Sequence, residues 1–214
     1  MTKTQTLLQR LRYGAYATML VALAVTSVGC ATSSSQVSSY SSHNKNNALM
    51  ITSDSYAPAE AKTLYAMSRI LVSQGKDQQG ELVLARLTRE FPNFVPAYCD
   101  MAELRMRQGR VDEAIEGLTA GLQVAPSDPI LLNNLGVCSI MKGDYEAALG
   151  SFTIASEEMP QEERYRANMA LALGMLGRYE EALALYKEVL EPGLAEENIG
   201  IINEIFYEPI DSSL

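Results

Sequence analysis

Histidine is nearly missing: the 214 residues hold one, His43. It stands among serines and asparagines with no Cys or carboxylate at ligand spacing, and reads as a solvated residue, not a metal ligand. Also missing are a glycine-rich phosphate loop, a nucleophile elbow and a metal-binding pair on one helix face. The sequence therefore offers no catalytic residue, no metal site and no cofactor site, and is read as a non-enzyme. Basic charge is scarce too, with 17 Lys and Arg against 26 Asp and Glu and a pI near 4.7. That balance argues against nucleic acid and against a basic membrane-docking face. Finally, the longest uncharged apolar run, residues 15–28, falls short of the ~20 residues a comfortable membrane span needs.

What is present is ordinary globular composition, 47% hydrophobic and 20% charged, in a length suited to one domain or a little more. Residues 1–29 read as an export signal. Lys3, Arg10 and Arg12 form a positive head, the apolar run follows, and small residues Ser27, Gly29 and Cys30 close it. Without this segment 14 basic residues, 17 less three, would face 26 acidic ones. Ser27-Val28-Gly29-Cys30 resembles the bacterial lipobox, with Ser27 where that motif usually has Leu. The resemblance implies that Cys30 is lipidated, and Ala31 after it implies sorting to the outer membrane. An uncleaved anchor helix or a plain signal peptide is the alternative. Two or more acyl chains, at ~0.8 kcal/mol per buried methylene, give stable anchoring.

Residues 31–55 are rich in Ser and Asn and poor in large apolar groups, which predicts a flexible tether. Its root-mean-square reach is roughly 25–30 Å at ~5–6 Å × √n.

Beyond the tether, glycine and proline fall on a fixed period. Gly75, Gly109, Gly143 and Gly177 are 34 residues apart, as are Pro92, Pro126 and Pro160. The clearest unit reads Leu132-x2-Leu135-Gly136-x2-Ser139, then Ala148-x3-Phe152, then Pro160. That pattern resembles the tetratricopeptide (TPR) repeat, in which a large side chain on the first helix fills the gap left by a small one on the second. The resemblance implies an all-α fold, a TPR α-solenoid of four helix-turn-helix repeats plus a C-terminal capping helix. Repeats are expected at residues 61–94, 95–128, 129–162 and 163–192, within a repeat region of 58–192. A signal (1–29) and a lipidated tether (30–57) precede it, and a cap with an acidic tail (193–214) follows. Helices are expected near 59–73, 77–90, 95–107, 111–124, 129–141, 145–158, 163–175 and 179–190, with a cap at 195–206. Pro58 and Ser55 mark the start and Pro209 the end.

The resemblance also implies a binding face on the first helix of each repeat. At its sixth position stand Ala66, Asp100, Asn134 and Asn168. Asn134 and Asn168 resemble the asparagine ladder of peptide-binding TPR proteins, each amide able to donate to and accept from a peptide backbone. Local helix-end bonding is the other reading. Met106, Val137, Ile140, Met141, Leu171 and Met175 surround them as an apolar, Met-rich stripe, adaptable to a partner or serving to pack one repeat on the next. Only Arg69 and Arg107 could serve the carboxylate-clamp pattern, so a free C-terminal carboxylate is not the expected ligand. Glu157, Glu158, Glu162 and Glu163 read as helix-end acids rather than paired catalytic carboxylates. Cys99 and Cys138 sit at non-equivalent repeat positions and read as buried free thiols.

The segments 166–173 (RANMALAL), 177–182 (GRYEEA) and Ala195-x2-Asn198-Ile199-x-Ile201-Ile202 resemble the end of the TadD family, TPR lipoproteins of the tight-adherence (Flp) pilus. That implies an accessory factor facing the periplasm from the outer membrane, which helps a secretin or pilus component to assemble. The alternative is a general periplasmic adaptor that docks envelope enzymes such as peptidoglycan hydrolases.

Overall fold

A computed structural model describes residues 58–191 and 193–206. The export signal, Cys30, His43, most of the tether, Pro209 and the acidic tail lie outside the described residues. Those described form nine α-helices with no strand: α1 Ala59–Ser73, α2 Asp77–Glu90, α3 Val95–Arg107, α4 Val111–Val124, α5 Pro129–Lys142, α6 Tyr145–Glu158, α7 Glu163–Met175, α8 Tyr179–Val189 and α9 Leu194–Phe206.

The periodic glycines and prolines set the helix ends. Gly75, Gly109, Gly143 and Gly177 have φ between +72° and +80°, a region that costs a residue with a Cβ roughly 1–2 kcal/mol. Each lies just past a helix and lets the chain reverse in a Schellman turn. In the first, Gly75 N donates to Val72 O (2.9 Å) and Lys76 N to Leu71 O (2.9 Å). The prolines work between repeats. Phe94 N donates to Phe91 O (2.9 Å), Asp128 N to Ala125 O (3.1 Å) and Glu162 N to Met159 O (3.0 Å). Each turn places Pro92, Pro126 or Pro160 second, where its fixed φ fits.

Three boundaries differ by a residue from expectation. Helix α5 runs to Lys142 and α9 starts at Leu194, while α8 stops at Val189 because Leu190 turns extended (φ −116°, ψ 155°). Pro192 bars helical geometry from the residue before it, so the chain is already leaving the helix. Pro58 precedes α1 rather than opening it, and its carbonyl accepts from Lys62 N at 3.2 Å.

The described residues divide into two compact units, parting between Leu135 and Gly136 inside α5. The division ignores repeat boundaries because each repeat buries its face only against neighbours. In the first unit, α1 packs on α2, α2 on α3 and α3 on α4. Its core includes Ala61, Leu84, Leu87, Phe94, Ala97 and Met101. Close approach of α1 and α2 needs Gly80: a Cβ there would lie 2.5 Å from Val72 Cγ2 and 3.3 Å from the Ser68 carbonyl oxygen.

In the second unit, α6 packs on α7, α7 on α8, and α9 on both α7 and α8. Ala148 on the second helix is fully buried, and a small residue also stands on the first helix opposite a large one on the second. Gly136 leaves space that the Phe152 ring fills. Helix α9 closes the last repeat through Ala195 and Ile202, both 1% exposed.

Candidate functional site

Helices α1 and α3 of the first unit present adjacent faces, and repeat spacing brings Tyr65 of one to Asp100 of the other. There the Tyr65 hydroxyl and the Asp100 carboxyl lie close enough for each to act on the other's titration. The Tyr65 ring is held from two sides. Phe94 meets it edge-on, with centroids 5.1 Å apart and planes at 65°. The Arg69 guanidinium lies over it, 5.9 Å from the centroid, within cation–π range.

Burial pushes the Asp100 carboxyl up to about 6, and Glu103 adds to the rise. The Tyr65 hydroxyl, Arg69 and Arg107 pull the other way without cancelling it. Burial, followed by the charge of Asp100, likewise raises the Tyr65 hydroxyl above its ordinary range. A desolvated carboxyl near neutrality is a common mark of a functional position.

Other polar groups nearby have structural work. Asp128 Oδ1 accepts from Ile130 N and Leu131 N, both at 3.0 Å, and so caps α5. Glu81 of α2 accepts from Arg105 Nε of α3 at 2.8 Å and from Arg110 at 2.7 Å. Arg110 also pairs with Glu113. The Arg110 hydrogen bond, then that of Arg105, holds the Glu81 carboxyl below its usual range against the desolvation that opposes them. This network joins the first repeat to the second.

The expected face is only partly open. Asn134 and Met106 of the first unit, and Asn168, Val137 and Met141 of the second, are half-buried. Ile140 (1% exposed), Leu171 (4%) and Met175 (3%) instead belong to the second unit's core. Their place in a partner-binding stripe is corrected accordingly. The second half of α7, from Met169 to Met175, carries no polar side chain, and Ala170 to Met175 are all buried. Asn168 already takes part in a polar interaction within the chain.

Cys138 is buried and Cys99 half-buried, and both are free thiols. Burial pushes the Cys138 thiol up to about 12. It also raises Cys99, with Asp128, Asp100 and Glu103 adding to it. Glu157, Glu158 and Glu163 are exposed, and Glu162 pairs with Arg164 at 3.0 Å. Among the described residues no three His, Cys, Asp or Glu side chains cluster as a metal site. No described helix is long and apolar enough to cross a membrane.

The pairing of Tyr65 with Asp100 was missed by sequence reasoning. Its signal was available: the two occupy the fifth and sixth positions of successive repeats, where adjacent first helices meet.

Residues 99–163 and 142–195 match the tetratricopeptide repeat family model. The chain has the fold of a tetratricopeptide-repeat α-solenoid. Over 116 residues, 52% of the chain, it is 33% identical to human superkiller complex protein 3, and covers 7% of that protein. Over 162 residues, 71% of the chain, it is 25% identical to mouse protein O-mannosyl-transferase TMTC1, and covers 17% of it. The chain thus spans less than a fifth of either relative.

Among solved structures, a tetratricopeptide repeat protein from Parabacteroides merdae superposes with a TM-score of 0.58 at 20% identity, over 68% of this chain and 59% of that one. MamA superposes with a TM-score of 0.58 at 17% identity, over 68% and 81%. YrrB, described as a TPR protein with an unusual peptide-binding site, does so with 0.55 at 17%, over 66% and 75%. At these identities the likeness is one of fold. For this tetratricopeptide array, the fold suggests a protein–protein interaction scaffold.

Proposed function

We propose that this chain is a non-enzymatic scaffold that grips peptides or proteins in the periplasm. It is anchored to the outer membrane through lipid on Cys30 and assists assembly of a tight-adherence (Flp) pilus or its secretin. The lipobox-like Ser27–Cys30 stretch supports the anchor, and the likeness of the last repeat and cap to the TadD family supports the pilus role. The observation that carries the binding reading lies in the first unit. Asp100 and Asn134 stand at the same position of successive repeats, both half-buried, beside the Tyr65 and Arg69 pair. An acceptor-only carboxylate and a two-way amide suit the alternating donors and acceptors of an extended peptide backbone.

The test is recovery of the partner from membranes at equal expression. Asn134→Ala removes one hydrogen-bond site worth about 1 kcal/mol, a loss of roughly fivefold in affinity, with folding unchanged. Asn168→Ala reports separately on the second unit. Recovery equal to the parent for both variants would overturn the assignment of this face. Cys30→Ser should abolish lipid labelling, and labelling that survives it would overturn the anchor. Co-recovery of secretin or pilus components distinguishes the pilus role from that of a general envelope adaptor.

A further inference from the structure

The outward face of α1 leaves large apolar side chains exposed. Met67 is 50% and Ile70 56% accessible. With Lys62, Thr63, Ala66 and Leu71 they line a groove of about 510 Å³. The last repeat does not expose such a face, because α9 covers it with Ala195 and Ile202. A repeat array needs its terminal faces shielded from water, and among the described residues the first repeat has no such cover.

The chain itself supplies suitable chemistry just upstream. Residues 48–58 read Ala-Leu-Met-Ile-Thr-Ser-Asp-Ser-Tyr-Ala-Pro. Ala48-Leu49-Met50-Ile51 is the single run of four apolar residues in the otherwise polar stretch 31–57. Ser53, Asp54 and Ser55 follow it, residue types that favour a chain reversal. Pro58 joins this stretch to the first turn of α1, the end of the groove where Lys62 and Thr63 lie.

The lengths agree. Seven residues from Ile51 to Pro58 span at most roughly 23–25 Å. Met67 lies only about 12 Å along the helix from Ala59, and Ile70 about 17 Å, at ~1.5 Å per residue. A reversed segment therefore reaches both. Charge agrees as well: Asp54 sits between the apolar run and Pro58, and Lys62 is exposed at the near end of the groove.

We propose that residues 48–51 dock in the α1 groove as an N-terminal cap, with Asp54 against Lys62. The cap shields Met67 and Ile70 and shortens the free tether to the residues before Ala48. It depends on neither the lipid anchor nor the identity of the partner.

Disulfide trapping in the full chain tests this. With Cys30→Ser as background, Met50→Cys is combined with Ile70→Cys, and Ser41→Cys with Ile70→Cys serves as reference. The bonded pair is identified by peptide mapping. Because α1 is helical from Ala59, the freely moving parts of the two loops are about 8 and about 17 residues, and their closure rates differ by about threefold from the (3/2)ln n dependence. A docked segment closes the first pair at least tenfold faster than the reference, independently of protein concentration. Adding Leu49→Asp and Ile51→Asp then returns it to within about threefold of the reference rate. Rates within about threefold, closure that survives the two aspartates, or disulfides joining two chains would each overturn the proposal; the last would assign the face to a second copy.

Discussion

The ring of Phe152 occupies the place a side chain on Gly136 would take. A Cβ built on Gly136 falls 2.5 Å from Phe152 Cε1, 2.7 Å from Cδ1 and 2.8 Å from Cζ. Real Cβ atoms do not approach this closely, so the absence of a side chain at Gly136 is what lets α5 and α6 meet. Phe152 is 1% exposed and cannot swing into water.

Gly136→Ala should therefore destabilise the chain despite the better helix propensity of alanine. Overpacking of this kind costs ~1–3 kcal/mol. Gly150→Ala is the control. Gly150 lies within α6 and a Cβ there meets nothing within 4 Å, so the change should stabilise by up to ~1 kcal/mol. Urea unfolding of the two variants beside the parent should give shifts of opposite sign. Equal shifts would contradict the packing described.

Gly109→Ala tests the repeated turn. A Cβ at Gly109 also meets nothing, but its φ is +74°, so the cost is one of backbone geometry alone, about 1–2 kcal/mol. Gly143→Ala should cost a similar amount, since the same turn recurs at φ +80°. A loss at one site only would mean the four turns are not equivalent.

Asp100 should make stability fall as pH rises. Its carboxyl is raised to about 6 in the folded chain from an ordinary 3.8. Between those values the folded state holds the proton more often than the unfolded one, so stability declines through this window and levels off above it. Asp100→Asn keeps the shape of the side chain and removes the titration. Relative to the parent, the variant should gain on the order of 2 kcal/mol between pH 4 and 7. A pH-independent difference would show that Asp100 titrates normally.

Glu81 should act in the opposite sense. Its folded carboxyl is held below the ordinary value by Arg110 and Arg105. Its contribution is present above pH ~4.5 and is lost as pH falls through the lower folded value. Glu81→Gln leaves Arg105 and Arg110 without their shared carboxylate. It should cost ~1–3 kcal/mol near neutrality, with the difference shrinking in acid. A difference that stays constant in acid would assign the loss to packing rather than charge.

Most helix boundaries could be read from the residues because they depend on local chemistry. A glycine that alone tolerates φ near +75° and a proline in second position of a turn act on their own few neighbours, and the 34-residue recurrence repeats the same message. The cap was legible for the same reason: Ile199 and Ile202 keep helical spacing after Pro192. The binding face was less legible. Asn134 and Asn168 could be placed by register, but whether Ile140, Leu171 and Met175 face a partner or the interior could not, since apolar side chains suit either.

The sequence by itself determined, to within a residue, where the helices begin and end and that they pair, because turn geometry is set by residues within a few positions of one another. Tertiary structure decided what those helices show to solvent. It buried Leu171 and Met175 in the core, joined Tyr65 to Asp100 across two repeats and set Phe152 against Gly136. Each of these depends on side chains 16 or more positions apart meeting in space, and on competition for the same buried volume, which no single stretch of chain encodes.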